Sequence, residues 1–236
     1  MTTATLTTVE LRKATDTRAG FWLQVATAGI TLAAVVLLLI VGNHHDRALF
    51  NVLALAVQPA GVLLPIVGIL LVTSEWTQRT ALITFTLVPQ RNRVLVAKTL
   101  AGLLIALVAM AACLALSAFG TAVSGGELTL SASLLGQITI YTVTQMVMGV
   151  AFGAMLQSSA PAIVLSFAAP LAIGAIGSIH AIADPVRWLD PTRSLAPLTD
   201  GLLSATEWAR AGTTLMLWLA IPLAIGAWRL ARGEIR

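Results

Sequence analysis

Charge is scarce in this sequence: Asp, Glu, Lys and Arg make up 10% of 236 residues, while 58% are apolar. An average soluble domain carries about a quarter charged residues. So few charges cannot clothe a soluble surface, and lipid must solvate the exterior instead. Cysteine is nearly absent. Cys113 stands alone in an apolar run, which excludes an intrachain disulfide, and it reads as a small buried apolar residue. No Gly-x-x-x-x-Gly-Lys-[Ser/Thr] run occurs, so the chain carries no recognisable ATP-binding loop and no cofactor is expected in it. His-Glu-x-x-His and Gly-x-Ser-x-Gly are missing too, which leaves an intramembrane hydrolase without a metal or a nucleophile. No catalytic residue and no metal ligand is expected. The apolar runs hold no charge deep inside them, which disfavours proton- or ion-coupled transport.

The net charge of +4 could suggest nucleic acid, but the basic residues flank apolar runs rather than cluster. His44, His45 and His180 stand at the ends of such runs, where interfacial histidines are the plainer reading than a metal site. The polar stretch from Met1 to Arg18 is too long and too mixed in charge for a signal peptide, so no cleavage is expected.

Charge-free intervals count the membrane crossings. A span needs about 20 apolar residues. Residues 128–179 contain no charge at all, and as one helix they would run about 78 Å, more than twice the hydrocarbon thickness. They must form two spans, broken at Gln157-Ser158-Ser159-Ala160-Pro161. The expected fold is a single all-α membrane domain over 1–236, with six transmembrane helices at about 19–43, 48–74, 95–120, 133–157, 161–180 and 210–230. Lys and Arg number ten on the side of the N-terminus, the second loop and the C-terminal tail, against four on the other. Both termini are therefore expected in the cytoplasm, with the protein in the inner (plasma) membrane. Trp22, Trp76, Trp188, Trp208 and Trp228 fall near predicted span ends, where amphipathic rings anchor. Trp218 falls mid-span and reads as packing.

Three segments outside the spans carry pattern. Glu10 to Arg18 runs straight into the first span, either as a short N-terminal amphipathic helix on the membrane surface or as a basic flank. Ser74 to Arg93 is too long for a turn. Ser74 suits a helix N-cap and Glu75 the positive dipole end. Trp76, Ile83 and Leu87 share a face, and Pro89 ends the helix. This predicts a helix between spans 2 and 3 that docks a soluble partner or lies among headgroups. Residues 181–210 hold two apolar stretches too short to span, Ser194 to Leu198 and Gly201 to Ala205. They suggest short helices dipping in from outside, or an ordinary loop.

Some spans also carry polar groups. Gln137, Tyr141 and Gln145 are spaced by four, with Met148 and Phe152 on the same face. Facing lipid, the amides would be costly, so they line a translocation path or bond helix to helix. Gly149 and Gly153 form a close-packing Gly-x-x-x-Gly surface. Gln58, Pro59 and Pro65 predict a kinked second span with a polar group at mid-membrane.

Glu10-Leu-Arg-Lys-x-x-Asp-Thr-Arg18, then Thr73-Ser-Glu-Trp-Thr-Gln-Arg-Thr80, Thr84-Phe-Thr, Pro89-Gln-Arg91 and Ala97-Lys98 occur in the order and placement found in one family. The chain resembles the ABC-2 type permeases, the membrane subunits of one class of ATP-binding cassette exporter, in a form common in actinobacteria. The resemblance covers essentially the whole chain, although many members carry Gly where Arg79 stands. It implies a separate ABC ATPase subunit in two copies, which binds the ATP and Mg²⁺. A second permease copy, identical or a paralogue, would complete the dimer. It places Glu75, Arg79, Thr80, Pro89, Arg91 and Arg93 at the ATPase contact, with the turn at Gln157 and Ser158 as a second, smaller one. Glu10, Arg12, Lys13 and Arg18 would lie on the cytoplasmic face. The path would run between the permeases, and the apolar fifth span suits an amphipathic or hydrophobic substrate such as a drug, natural product or lipid. The alternatives are a six-span scaffold or immunity-type protein without transport, and an ion-coupled carrier.

Overall fold

The computed structural model of the chain describes residues 2–77, 91–179 and 183–232. Among the described residues, all regular structure is helical. Six helices are long and apolar enough to cross a membrane: span 1 (Arg18–Val41), span 2 (Leu49–Thr77), span 3 (Asn92–Val123), span 4 (Ala132–Leu156), span 5 (Ser159–Ile176) and span 6 (Ala205–Arg232). Each agrees with its sequence-based interval to within about five residues, the usual scatter of helix ends. An even number of crossings leaves both chain ends on one face, the terminal face. The predicted helix between spans 2 and 3 falls on residues 78–90, outside the described residues, as do Arg79, Thr80 and Pro89.

The lead-in helix is longer than the sequence suggested. It runs Thr3–Asp16, with the Thr2 side chain accepting from the Thr5 N–H as N-cap. Leu6, Thr7, Glu10 and Ala14 form its buried stripe. At Thr17 the backbone turns extended, and the Thr17 side chain caps span 1 by accepting from the Gly20 N–H. Gln24 of span 1 donates back to the Ala14 carbonyl at 3.3 Å, closing the corner.

Spans 2 and 4 form the centre, with about two thirds of each span's apolar window buried against 6% for span 5. Span 2 breaks at Val57, immediately before Gln58-Pro59, because Pro59 has no N–H to continue the ladder. Pro65 removes a second donor further along. Against this bent helix, span 4 packs backbone to backbone. A Cβ at Gly149 would sit inside the contact distance of the Pro65 carbonyl, and one at Gly68 would meet the backbone at Met146 and Val150. The expected Gly-x-x-x-Gly surface thus lies against span 2.

On the opposite face, short helices at Ala183–Arg187, Pro191–Leu195 and Pro197–Asp200 fold back into the bundle. Leu195, Leu198 and Thr199 are buried there. The indole N–H of Trp218 donates to the Leu189 carbonyl at 2.9 Å, and its ring packs on Phe152, so the mid-span tryptophan anchors this return segment. Gly201 to Ala205 is not a second dipping helix. Residues 202–204 are non-helical, and Ser204 and Glu207 form a reciprocal capping box that starts span 6 about five residues early.

Gly149→Leu is expected to destabilise the protein by about 3 kcal/mol or more, because the new side chain meets backbone that cannot rotate away. Gly136→Leu, on the same span with open space around its Cβ, is expected to be near neutral. Thermal unfolding of the purified variants in detergent checks the contrast.

Candidate functional site

Four charges meet at the terminal face. Glu10 and Lys13 lie one turn apart on the lead-in helix, and Lys13 Nζ reaches Glu10 Oε1 at 2.8 Å. The same ammonium bonds Glu75 Oε1, at the end of span 2, at 2.8 Å. From span 3, Lys98 Nζ bonds Glu10 Oε2 at 2.6 Å, lies 3.5 Å from Glu75 Oε1, and donates to the Leu71 carbonyl at 3.0 Å. Two cations and two anions thus alternate around a closed cluster that joins the lead-in helix to spans 2 and 3.

Burial makes this costly to assemble and costly to break. Glu10, Glu75 and Lys98 are each no more than 4% exposed. A charge so placed demands a partner, since its desolvation amounts to several kcal/mol. Here each carboxylate touches both ammonium groups and the formal sum is zero. Leu6 of the lead-in helix, Val72 of span 2 and Val94, Leu95 and Ala97 of span 3 form a buried apolar cluster, so the same three elements are also joined by apolar packing. Lys13 is the most exposed of the four charges. Its burial alone would lower its pKa, but hydrogen bonds and charge from Glu10 and Glu75 outweigh that and hold it above the ordinary 10.5.

Two sequence expectations change here. Ser74 and Glu75 do not begin a new helix: they lie within the Gln58–Thr77 helix of span 2. Lys98, counted with the basic residues of the second loop although the expected span at 95–120 includes it, lies inside the span 3 helix and is buried. Span ends therefore do hold buried charge. Arg12 and Arg18 are exposed and outside the cluster, Arg93 is half-buried near the start of span 3, and Arg91 begins that helix.

The turn between spans 4 and 5 is fixed from two sides. Gln157 takes the left-handed conformation (φ 53°) as C-cap, and its N–H donates to the Gly153 carbonyl. Ser159 Oγ lies 2.7 Å from Thr73 Oγ1 of span 2, and the Arg229 guanidinium of span 6 donates to the Met155 carbonyl. Gln157 is half-buried and Ser158 exposed on the terminal face.

Toward the opposite face, spans 2, 4 and 5 and the short helices enclose a cavity of about 390 Å³. Gln58, Tyr141, Gln145, Met148 and Phe152 all line it, so most of the polar face expected in span 4 meets the kink of span 2. Gln58 Nε2 donates to Thr199 Oγ1 at 3.4 Å, and Gln145 bonds the Tyr141 hydroxyl. Gln137 and Pro59 are not among the lining residues. Gln137 is buried in helix packing, and its Oε1 has no hydrogen-bond partner among the described residues. Thr199 and Asp200 also line the cavity. Sequence reasoning misses them, because nothing in Pro197-Leu-Thr-Asp200 signals a contact with Gln58, far away in the chain.

Lys98→Met is expected to cost about 3 kcal/mol, because it leaves two buried carboxylates sharing one ammonium. Removing its partner as well, Glu10→Met with Lys98→Met, leaves the neutral Lys13–Glu75 pair and is expected to recover more than half of that loss, read as the midpoint of thermal unfolding. Lys13 supplies a second check. Its pKa is raised by folding, so its contribution is complete below the unfolded value and fades as pH rises through the folded one. Unfolding midpoints should therefore fall above about pH 10.5 in the native chain, and fall less in Lys13→Met.

No protein-family model matches this chain, and no curated protein matches it. Its own geometry describes it: six helices fit to cross a membrane, a buried four-charge cluster at one face and a polar-lined cavity toward the other.

Proposed function

We propose that the chain is the membrane-spanning permease subunit of an ATP-binding cassette exporter of the ABC-2 type. It forms the translocation path and is driven by a separate ATPase subunit. One observation carries this reading. The charge cluster locks the lead-in helix to Glu75 and Lys98, the residues that flank segment 78–90 on spans 2 and 3. That segment bears the strongest resemblance to a coupling segment. A force applied to it passes into two spans and the lead-in helix together, as a rigid element must pass it. Thr73–Ser159 and Arg229–Met155 contacts tie the 157–158 turn into the same face, which supports a second, smaller ATPase contact there.

In this assembly the terminal face is cytoplasmic and the membrane is the plasma membrane. Two ATPase copies bind ATP and Mg²⁺ and perform the hydrolysis, so the chain itself is not an enzyme. Spans 1 and 5 have most of their side chains uncovered, and so offer faces to lipid and to a second permease copy. The path takes amphipathic or hydrophobic molecules, consistent with a cavity whose lining is mostly apolar.

Co-expression with a candidate ABC ATPase subunit drawn from its neighbouring genes is the test. The two subunits should purify together in mild detergent. Charge reversal of Arg91 and Arg93 together should reduce the retained ATPase about tenfold, the scale of about 1.4 kcal/mol, while the chain's own elution is unchanged. Purification of the chain alone, with no stimulation of ATPase turnover, would refute the assignment.

A further inference from the structure

The cavity has a charge asymmetry that points to a ligand class. Among its described lining residues Asp200 is the one with a formal charge; no Lys, Arg or His is among them. Asp200 Oδ1 accepts from Thr199 Oγ1 at 3.5 Å, and among the described residues no basic side chain lies within ion-pair distance of it. The neighbouring Arg193 is engaged elsewhere, by Asp190 at 3.4 Å. The carboxylate is solvent-exposed at the cavity's rim and carries no counter-ion among the described residues, so an incoming ligand meets its negative charge first.

The rest of the lining suits a cation with an apolar body. Tyr141, Phe152 and Phe167 present aromatic rings, whose faces attract positive charge, and Met148 adds a polarizable surface. Gln58 and Gln145 supply amide groups at the bend of span 2 and on span 4. From Tyr141 to Phe152 the lining follows span 4 for about 16 Å, and the volume falls in the range that holds small organic ligands. An anion would meet a carboxylate and no base. A sugar would meet too few polar groups for its hydroxyls.

We propose that this cavity binds amphipathic organic cations, with Asp200 as the charge-selecting residue at its edge and Tyr141, Phe152 and Phe167 as the apolar and cation–π wall. It names the substrate class of the path in the permease reading and rests on that reading only for transport after binding. Binding itself requires no ATPase.

The test uses the full chain in nanodiscs of zwitterionic lipid, without ATPase. Radiolabelled tetraphenylphosphonium and tetraphenylborate, ions of matched shape and opposite charge, are measured by equilibrium binding. Saturable uptake of the cation at one site per chain is expected, with no saturable uptake of the borate. Asp200→Asn should weaken cation binding about fivefold, the upper end for an exposed ion pair, and Asp200→Glu should retain it. Ser166→Phe, which fills the cavity from span 5, should abolish it while unfolding and elution stay native. Equal saturable uptake of both ions overturns the proposal. So does cation binding that Asp200→Asn and Ser166→Phe leave intact, or the absence of cation binding to the native chain. None of these results bears on ATPase association, so the permease reading stands or falls separately.

Discussion

Three charges that are almost fully buried and a fourth that is half-buried govern the terminal face. Glu10, Glu75 and Lys98 could not leave water singly, since each desolvation outweighs what one hydrogen bond returns. Assembled with Lys13, they neutralise one another over distances of 2.6 to 3.5 Å. The geometry is selective, because only one docking of the lead-in helix against spans 2 and 3 brings all four together. The apolar stripe of that helix can slide along its neighbours at little cost, but the charge cluster cannot. It therefore fixes where the chain enters the membrane and how spans 2 and 3 begin their loop.

The opposite face obeys another logic. Span 2 loses ladder hydrogen bonds at Pro59 and Pro65, and it bends. A bent helix in lipid would leave carbonyl groups poorly satisfied, but here span 4 and the returning short helices cover the bend. Gly149 lets the span 4 backbone close onto Pro65. The cavity lies beside this close contact, between spans 2, 4 and 5 and the short helices, and both Pro65 and Gly149 line it. Trp218 and Leu198 pin the return segment that closes it.

Much of this is legible in the sequence, and the boundary between what is and what is not is physical. Span number and placement follow from transfer free energy, which is local and additive along the chain, so charge-free runs locate all six. The kink at Gln58-Pro59 and the close approach at Gly149 follow from single-residue stereochemistry. Tyr141, Gln145, Met148 and Phe152 share a helical face by spacing alone. Pairings across the chain leave no such trace. Lys98 meets a carboxylate 88 residues away and Lys13 one 62 residues away. In sequence, Lys98 looks like any basic flank of a span. Asp200 looks like a loop carboxylate until the short helices fold back. Glu75 misleads because Ser74-Glu75 fits an N-cap signature, while the apolar face of span 2 continues past it to Trp76. The Ser204-x-x-Glu207 signature, by contrast, is present and decisive for the start of span 6.

The two ends of the molecule are linked by one helix. Gln58 and Glu75 both belong to the Gln58–Thr77 segment, about 26 Å apart along its axis. One helps to line the cavity, and the other is held in the charge cluster. A helix with a proline in its middle would ordinarily yield there, and a push at Glu75 would be absorbed at Pro65. Span 4 prevents this by backbone contact at Pro65 itself, through Gly149, and at Gly68 one turn beyond. Close-packed interiors respond to displacement as units rather than by gradual deformation. Under the proposed reading, motion imposed on the 78–90 segment therefore reaches the cavity wall through span 2 with span 4 beside it. Tyr141 and Gln145 move with Gln58 rather than against it. The wall free to change its distance from them is span 5, the least buried of the six. Opening and closing of the cavity then amounts to separation of the paired spans 2 and 4 from span 5. Asp200, on a short helix that packs on span 4 and is bonded to Gln58 through Thr199, stays beside the aromatic ring of Tyr141 as it opens.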